Sequence, residues 1–334
     1  MPMLKAQYDE RGPVPQDVIR AVAFERPALA QGQALIEVLA APINPSDVLT
    51  LTGDYGMLPP LPAVGGNEGV GRVVELGPDT KGPAPGQTVL LPVSSGTWST
   101  HLVADAARLM PLPGGVDPKQ LSMLTVNPPT AALMLSEFVT LAPGDWVIQN
   151  AANSAVGAYV VQLAKHRGLR TVNVVRRESA VAGVREIGGD VVLVDGEHLR
   201  SRVREATGEA PIKLALDAVG GLATDRIAAC LAKGGILVNY GAMSGEPCSI
   251  SPRSFIFNDV TLKGFWLAPW FRAAPRETQQ ALFAELVGLV ARGVLHAPIQ
   301  ATYTVAEIKQ AVAAAHQGER GGKILVVAEA LRSA

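Results

Sequence analysis

The sequence predicts an α/β fold in two parts, a partly closed β-barrel and a doubly wound parallel sheet with helices on both faces. Three observations carry that expectation. Residues from about 20 to 115 read as short strands broken by glycine and proline, the pattern of an all-β, partly closed unit. From Trp146 onward, strands alternate with helical segments, which is the doubly wound signature. Most of those later strands are nearly continuous apolar runs, as a parallel sheet covered on both faces requires.

Taken in order, Ala34–Ala41 and Gly69–Leu76 are two strands of the first part. The pattern changes near Leu121, and Asp145–Gln149 is an apolar strand. Ala155 to Arg167 is a helix with Val156, Val160, Val161 and Ala164 on one face, and Gly168 stops it. Strands follow at Thr171–Val175, Asp190–Val194, Lys213–Asp217, Gly235–Tyr240 and Val260–Trp266. A long amphipathic helix runs from about Arg276 to Arg292. The tail, Ala301 to Val327, returns to strand, helix and strand, and it is assigned to the barrel because the doubly wound sheet is complete without it. The expected domains are therefore 1–120 with 269–334, and 121–268.

Composition narrows the function. A chain of 334 residues exceeds one typical core, so two domains are expected. A net charge of -1 supplies no field for a polyphosphate, so nucleic acid is not an expected partner. No uncharged apolar run is long enough to span a bilayer. The two cysteines, Cys230 and Cys248, form no CxxC pair and suit a reducing compartment. The opening residues, Met1 to Ala6, show neither a signal-peptide core nor an Arg-rich amphipathic pattern, so the cytoplasm is expected by elimination.

The junction Gln149-Asn150-Ala151-Ala152-Asn153-Ser154-Ala155-Val156-Gly157 lies between the first apolar strand and its helix. A dinucleotide site needs a tight turn there, so that a pyrophosphate meets N–H groups at the helix N-terminus. Of the usual three glycines only Gly157 remains, with Ala151 and Ser154 in the other places. The alternative reading is an ordinary β–α turn with small residues for packing. At the end of the second strand, NAD requires an acid for the ribose 2′-OH. This chain has Arg176-Arg177, and two guanidiniums suit a 2′-phosphate. NADPH is the expected cofactor, the alternative being a solvated arginine pair.

Zinc chemistry is not expected. Two cysteines cannot build a four-thiolate lobe. Where zinc alcohol dehydrogenases usually show Gly-His-Glu, this chain reads Gly66-Asn67-Glu68. Among His101, His166, His198, His296 and His316, no two stand at ligand spacing. Negative charge developing on a substrate must then be stabilised by hydrogen bonds.

Several stretches carry a resemblance. They are Asn44-Pro45-Ser46-Asp47, Gly53-Asp54-Tyr55-Gly56, Leu61 to Gly69, Val126 to Ala131, Gln149 to Gly157, Asn173 to Arg176 and Gly264 to Leu267. In these the chain resembles the mitochondrial-type trans-2-enoyl-CoA/acyl-carrier-protein reductases, within the zinc-free medium-chain dehydrogenase/reductases. The resemblance runs from about Asn44 to Trp270, and more faintly to Gly322-Lys323-Ile324. It implies a GroES-like catalytic barrel beside a Rossmann cofactor domain, in a homodimeric NADPH enzyme that reduces the C2–C3 double bond of an enoyl thioester. It implies Tyr55 as proton donor. It implies NADPH contacts from Asn127, from Asn153, Ser154, Ala155, Val156 and Gly157, and from Arg176 and Arg177. Further contacts are implied from Tyr240, Gly241, Ala242 and Met243, from Phe265, Trp266, Leu267 and Ala268, and from Lys323. The chain departs at Arg177-Glu178, where an Asp-Arg continuation is the family's pattern.

Asn44, Trp266 and Trp270 are the expected substrate-pocket residues. The two tryptophans follow the last strand at its C-terminal end, where ligands bind in this architecture. They suit an acyl pocket or interface core equally. Tyr55 sits in a glycine-flanked loop that permits close approach to a ligand, and a phenol is a reasonable donor to an enolate carbon. As a residue alone, it also reads as a loop tyrosine capping the barrel. Two other functions remain open, a zinc-free quinone or enone reductase and a catalytically idle NADPH-binding protein.

Overall fold

The computed structural model describes residues 2–318 and 321–332. The outermost ends of the expected barrel domain, 1 and 334, lie outside the described residues. The chain divides into two compact units: Met1–Val126 with Leu286–Ala334, and Asn127–Glu285.

Unit 1 opens with β1 (Met3–Tyr8), α1 (Pro15–Val18), β2 (Ile19–Phe24), β3 (Gln33–Pro42) and α2 (Pro45–Thr52). It continues with β4 (Ala63–Val64), β5 (Val70–Leu76), β6 (Thr88–Leu90), β7 (His101–Asp105), β8 (Met110–Pro111) and α3 (Pro118–Leu121). Unit 2 holds α4 (Asn127–Met134), β9 (Trp146–Gln149), α5 (Ala155–His166), β10 (Arg170–Val175), α6 (Val181–Glu186), β11 (Val191–Val194) and α7 (Leu199–Thr207). It goes on through β12 (Ile212–Asp217), α8 (Gly221–Ala228), β13 (Ile236–Asn239), β14 (Thr261–Gly264) and α9 (Leu267–Ala273). The boundary back to unit 1 falls within α10 (Arg276–Ala291), and β15 (Ile299–Tyr303), α11 (Ile308–His316) and β16 (Lys323–Val327) complete that unit.

In unit 1 the long strand β3 is the hub. It pairs antiparallel with β5, with β7 and with β16. The seven-stranded sheet runs β15-β16-β3-β5-β6-β8, with β7 on β3, and a second sheet runs β2-β1-β4. The tail rejoins the barrel as expected: Val326 lies opposite Ala41. Ile36, Val38, Val73, Trp98, Ile308, Val312 and Ile324 meet in one apolar core, and burial of such side chains is the main stabilising term.

In unit 2 the six strands are parallel in the order β11-β10-β9-β12-β13-β14. Chain order thus reverses between β9 and β12, and that switch point is where doubly wound sheets bind ligands. All four residues of β9 are buried, which explains its uninterrupted apolar reading. Helix α5 differs from the one-faced helix expected, because Gly157 to Ala164 are all buried. It packs against α4, itself buried along its whole length, and a helix covered on more than one side has no polar face to display. The last strand is shorter than Val260–Trp266, since Trp266 is already the N-cap of α9.

Candidate active site

The switch point is built on a buried carboxylate. Asp217, at the end of β12, is fully buried. Asn150, just past β9, donates its Nδ2 to Asp217 Oδ1 at 2.6 Å and accepts the Ala218 N–H on Oδ1 at 2.8 Å. Thr224 and Asn239 donate to Asp217 Oδ2 at 2.6 and 3.1 Å, and the Val219 and Gly220 N–H groups donate to Oδ1 at 2.9 and 3.2 Å. With five donors around it, the carboxylate is satisfied in its ionised form. It ties the ends of β9, β12 and β13 into one platform. Composition and periodicity gave no sign of this role, since Asn150 and Asp217 are 67 residues apart.

The turn after β9 has the required shape. Ala151 takes a left-handed backbone at φ 47°. Ser154 caps α5, its hydroxyl accepting the Gly157 N–H at 3.1 Å. A Cβ on Gly157 would lie 2.6 Å from the Ala152 carbonyl oxygen, so only glycine lets the helix sit this close to the turn. Asn153 is exposed, and Ser154, Ala155 and Val156 are half-buried at the helix start. Arg176 is exposed and Arg177 half-buried just beyond β10. Arg176 borders a cavity of about 570 Å³, together with Asp195, His198, Arg200, Asp225 and Arg226. Within it Asp195 is engaged by Arg226 at 2.6 and 2.5 Å, so its charge is already balanced. Arginines instead of an acid after β10, a glycine-dependent turn and a helix N-terminus are the donors that NADPH needs. The residues present fit that cofactor.

Elsewhere in unit 2, Asn127 opens α4 and is 5% exposed. Tyr240 and Gly241 are half-buried after β13, and burial pushes the Tyr240 phenol well up. Ala242 and Met243 are exposed. Phe265, Leu267 and Ala268 are half-buried, with Phe265 edge-on to Phe138 at 5.8 Å. Trp266 is exposed and lies under the Arg272 guanidinium at 5.8 Å, whereas Trp270 stands edge-on to Phe271. The structure therefore separates the environments of the two tryptophans, one open and one half-buried.

Unit 1 holds Tyr55, half-buried in the loop that leaves α2. Gly53 ends that helix at φ 96°, a left-handed cap that favours glycine. The loop beyond Tyr55 is held by Arg11, which donates to the Pro59 carbonyl. Met57, Leu58 and Leu61 are exposed on the same loop. Asn44 is not on an open wall: it is 2% exposed and lies in a polar cluster with Asp47, Glu68 and Lys323. Lys323 is likewise 7% exposed and donates to Asn44 Oδ1. Burial pushes the Asp47 carboxyl up to about 6 and that of Glu68 up to about 7, with Lys323 opposing both shifts. Among the described residues, no group of three or more His, Cys, Asp and Glu side chains is arranged to hold a metal ion.

Comparison with known proteins defines the class first. Residues 30–114 match the alcohol dehydrogenase GroES-like domain, and residues 155–286 match the zinc-binding dehydrogenase family. Both halves of the fold are those of a medium-chain dehydrogenase/reductase. The mitochondrial enoyl-[acyl-carrier-protein] reductase of Rattus norvegicus is 38% identical over 307 residues, spanning 90% of this chain and 82% of the relative. The solved structure of the Etr1p/NADP/crotonyl-CoA complex superposes with a TM-score of 0.89 at 26% identity, covering 98% of this chain and 100% of that one. A Bacillus thuringiensis protein described as an NADPH:quinone reductase superposes with a TM-score of 0.89 at 27% identity, covering 98% and 99%. The chain belongs to the enoyl-[acyl-carrier-protein] reductase family of the medium-chain dehydrogenase/reductases.

One expectation is overturned here. The chain was expected in the cytoplasm, yet the relatives it matches from rat and human are mitochondrial enzymes. The elimination failed because a missing leader pattern is not a positive signal for any compartment.

Proposed function

We propose that this chain reduces the C2–C3 double bond of a 2-enoyl thioester, using NADPH. The observation that carries the reading is Tyr55 on its glycine-flanked loop, in a chain that matches an enoyl-[acyl-carrier-protein] reductase along 90% of its length. When bound, NADPH supplies the hydride that adds to C3. The turn from Asn153 to Gly157 takes the pyrophosphate at the N-terminus of α5. Arg176 and Arg177 take the 2′-phosphate as charge-assisted donors. Asn127, Tyr240 to Met243, Phe265 to Ala268 and Lys323 complete the cofactor's contacts. Tyr55 delivers its phenolic proton to C2 of the enolate that hydride addition leaves, and the resulting phenolate is reprotonated from solvent. The exposed Met57, Leu58 and Leu61 beside Tyr55 suit an acyl chain, and Trp266 and Trp270 are assigned to the substrate. No metal enters the reaction.

The assembly we infer is a homodimer. Strand β14 ends its sheet with Thr261, Lys263 and Gly264 exposed. Phe255, Ile256 and Phe257 precede it at 44, 70 and 73% exposure. An open strand edge beside apolar side chains supports pairing with a second copy. A second reading, a quinone or enone reductase, is favoured by the equal TM-score to the bacterial quinone reductase. A steady-state assay with NADPH and crotonyl-CoA, longer 2-enoyl-CoAs or a quinone decides between them. Turnover of the thioesters with kcat/KM well above the quinone's is expected, and the reverse order would replace the first reading by the second.

A further inference from the structure

Glu68 is fully buried on the turn that precedes β5. Its Oε1 accepts the Asn44 Nδ2–H at 2.7 Å, and its Oε2 accepts both the Thr125 and the Val126 N–H at 2.9 Å. Asn44 Oδ1 in turn accepts from Lys323 Nζ, so the amide group of Asn44 has to face Glu68 with its hydrogens. The Asn44 N–H donates to Asp47 Oδ2 at 2.7 Å, and Asn67 Nδ2 donates to Asp47 Oδ1 at 2.7 Å. The carboxylate of Glu68 is met only by N–H donors in these bonds. A protonated carboxyl or an amide at this position would turn a hydrogen against one of them.

The site thus demands a buried charge, although burial favours the neutral acid. A neutral, apolar filling of the same space would commonly be as stable or more so. What the charge supplies is geometry. Asn44 starts α2, and Tyr55 follows the other end of that helix, which has eight residues. A helix so short is a rod of about 12 Å, so a shift at Asn44 is carried to the Tyr55 loop. The same carboxylate fixes the backbone at Thr125 and Val126, immediately before Asn127.

We propose that Glu68 is a positioning residue for enoyl reduction: acting through Asn44, its carboxylate sets the place of the Tyr55 loop and of the Lys323 ammonium. This rests on the enoyl-reductase reading. The charged and titratable groups facing the cluster are Asp47 on α2, Lys323 on β16, Tyr8, which interacts with Asp47, and Arg11, which interacts with Tyr8. Glu68 and Asp47 share one ammonium, so any titration belongs to the pair.

The experiment begins with wild type, NADPH and crotonyl-CoA; no turnover would sink the enoyl-reductase reading and leave Glu68 aside. With an active wild type, kcat and KM are measured from about pH 5.5 to 9 for wild type, Glu68→Gln and Glu68→Asp, a range that brackets a carboxyl displaced this far. NADPH affinity is read by fluorescence, and amide exchange is followed at residues 44–55 and 123–127. Wild-type kcat should fall on the acid side near pH 7. Glu68→Gln should melt cooperatively, exchange Thr125 and Val126 faster, lack the acid limb, and lose kcat by on the order of ten- to a hundred-fold at alkaline pH with KM little changed. Glu68→Asp keeps the charge and should retain the limb with kcat between the two. A Gln variant with wild-type kcat and the same acid limb overturns the proposal, even if it melts lower. So does an Asp variant as slow and as flat as the Gln one, because side-chain length would then be the cause. Should the Gln variant not fold, a wild-type kcat that is level across the acid range overturns it as well.

Discussion

Asn150 and Asp217 clasp the two central strands of the cofactor sheet across its switch point, through a side-chain hydrogen bond of 2.6 Å and a return bond of 2.8 Å from the Ala218 N–H to Asn150 Oδ1. Neither residue was a candidate from the sequence. Their pairing leaves the turn that follows Asn150 with a fixed origin, and a fixed origin is what a phosphate-binding turn requires. Replacing Asp217 with Ala strips the acceptor from five buried or half-buried donors. We expect a loss of about 3–5 kcal/mol in chemical denaturation, together with weaker NADPH binding. A loss below about 1 kcal/mol would mean that water or neighbouring groups satisfy those donors.

Cofactor choice is tested at Arg176. NADPH is expected to bind more tightly than NADH, and Arg176→Ala should remove most of the difference, on the order of 1.5–3 kcal/mol. Titration of both cofactors by fluorescence gives the answer. Equal affinities in the unmutated protein would show that the arginines after β10 do not read the 2′-phosphate.

Tyr55→Phe keeps the ring and removes only the hydroxyl. Fold and NADPH affinity should persist while kcat falls on the order of a hundred- to ten-thousand-fold. The assay needs an enoyl-CoA for which chemistry limits turnover. A loss confined to KM would mean that the hydroxyl binds ground state and transition state alike. Unchanged kinetics would make Tyr55 a loop residue.

The buried pair also predicts how stability varies with pH. The Asp47 carboxyl is raised from 3.8 to about 6, and that of Glu68 from 4.5 to about 7. Between the unfolded and folded values the folded state holds more protons than the unfolded one. Stability contributed by these groups therefore falls as pH rises through that window, by on the order of a few kcal/mol. Urea denaturation of wild type against Glu68→Gln from about pH 4 to 8 isolates the effect. The wild type should lose more stability over the range, and parallel curves would show that burial does not raise the Glu68 carboxyl above its unfolded value.

Metal independence is expected from Asn67 and from the two cysteines, Cys230 and Cys248. Activity should survive exhaustive chelation, with no stoichiometric zinc by elemental analysis. A bound zinc whose removal abolishes turnover would reverse this expectation and return the chain to Lewis-acid chemistry.

Much of this protein was legible from the chain alone, because it is written in local patterns. Alternating apolar strands and helices from Trp146 onward specified a doubly wound sheet. Arg176-Arg177 at a strand end and the Gly157 turn pointed to NADPH through chemistry tied to a place in the fold, whereas Tyr55 as proton donor came from the family resemblance and stands as a proposal. The return of the tail to the barrel followed from counting strands. Tertiary structure alone decided the environments. Asn44 was expected at the substrate and lies instead among Glu68 and Lys323, partners 24 and 279 residues away. Helix α5 was read as one-faced and is buried on all sides along Gly157 to Ala164. Propensity and periodicity act within a turn or a strand pair. The cost of burying a charge, and the donors that meet it, depend on which distant segments arrive at the same point in space.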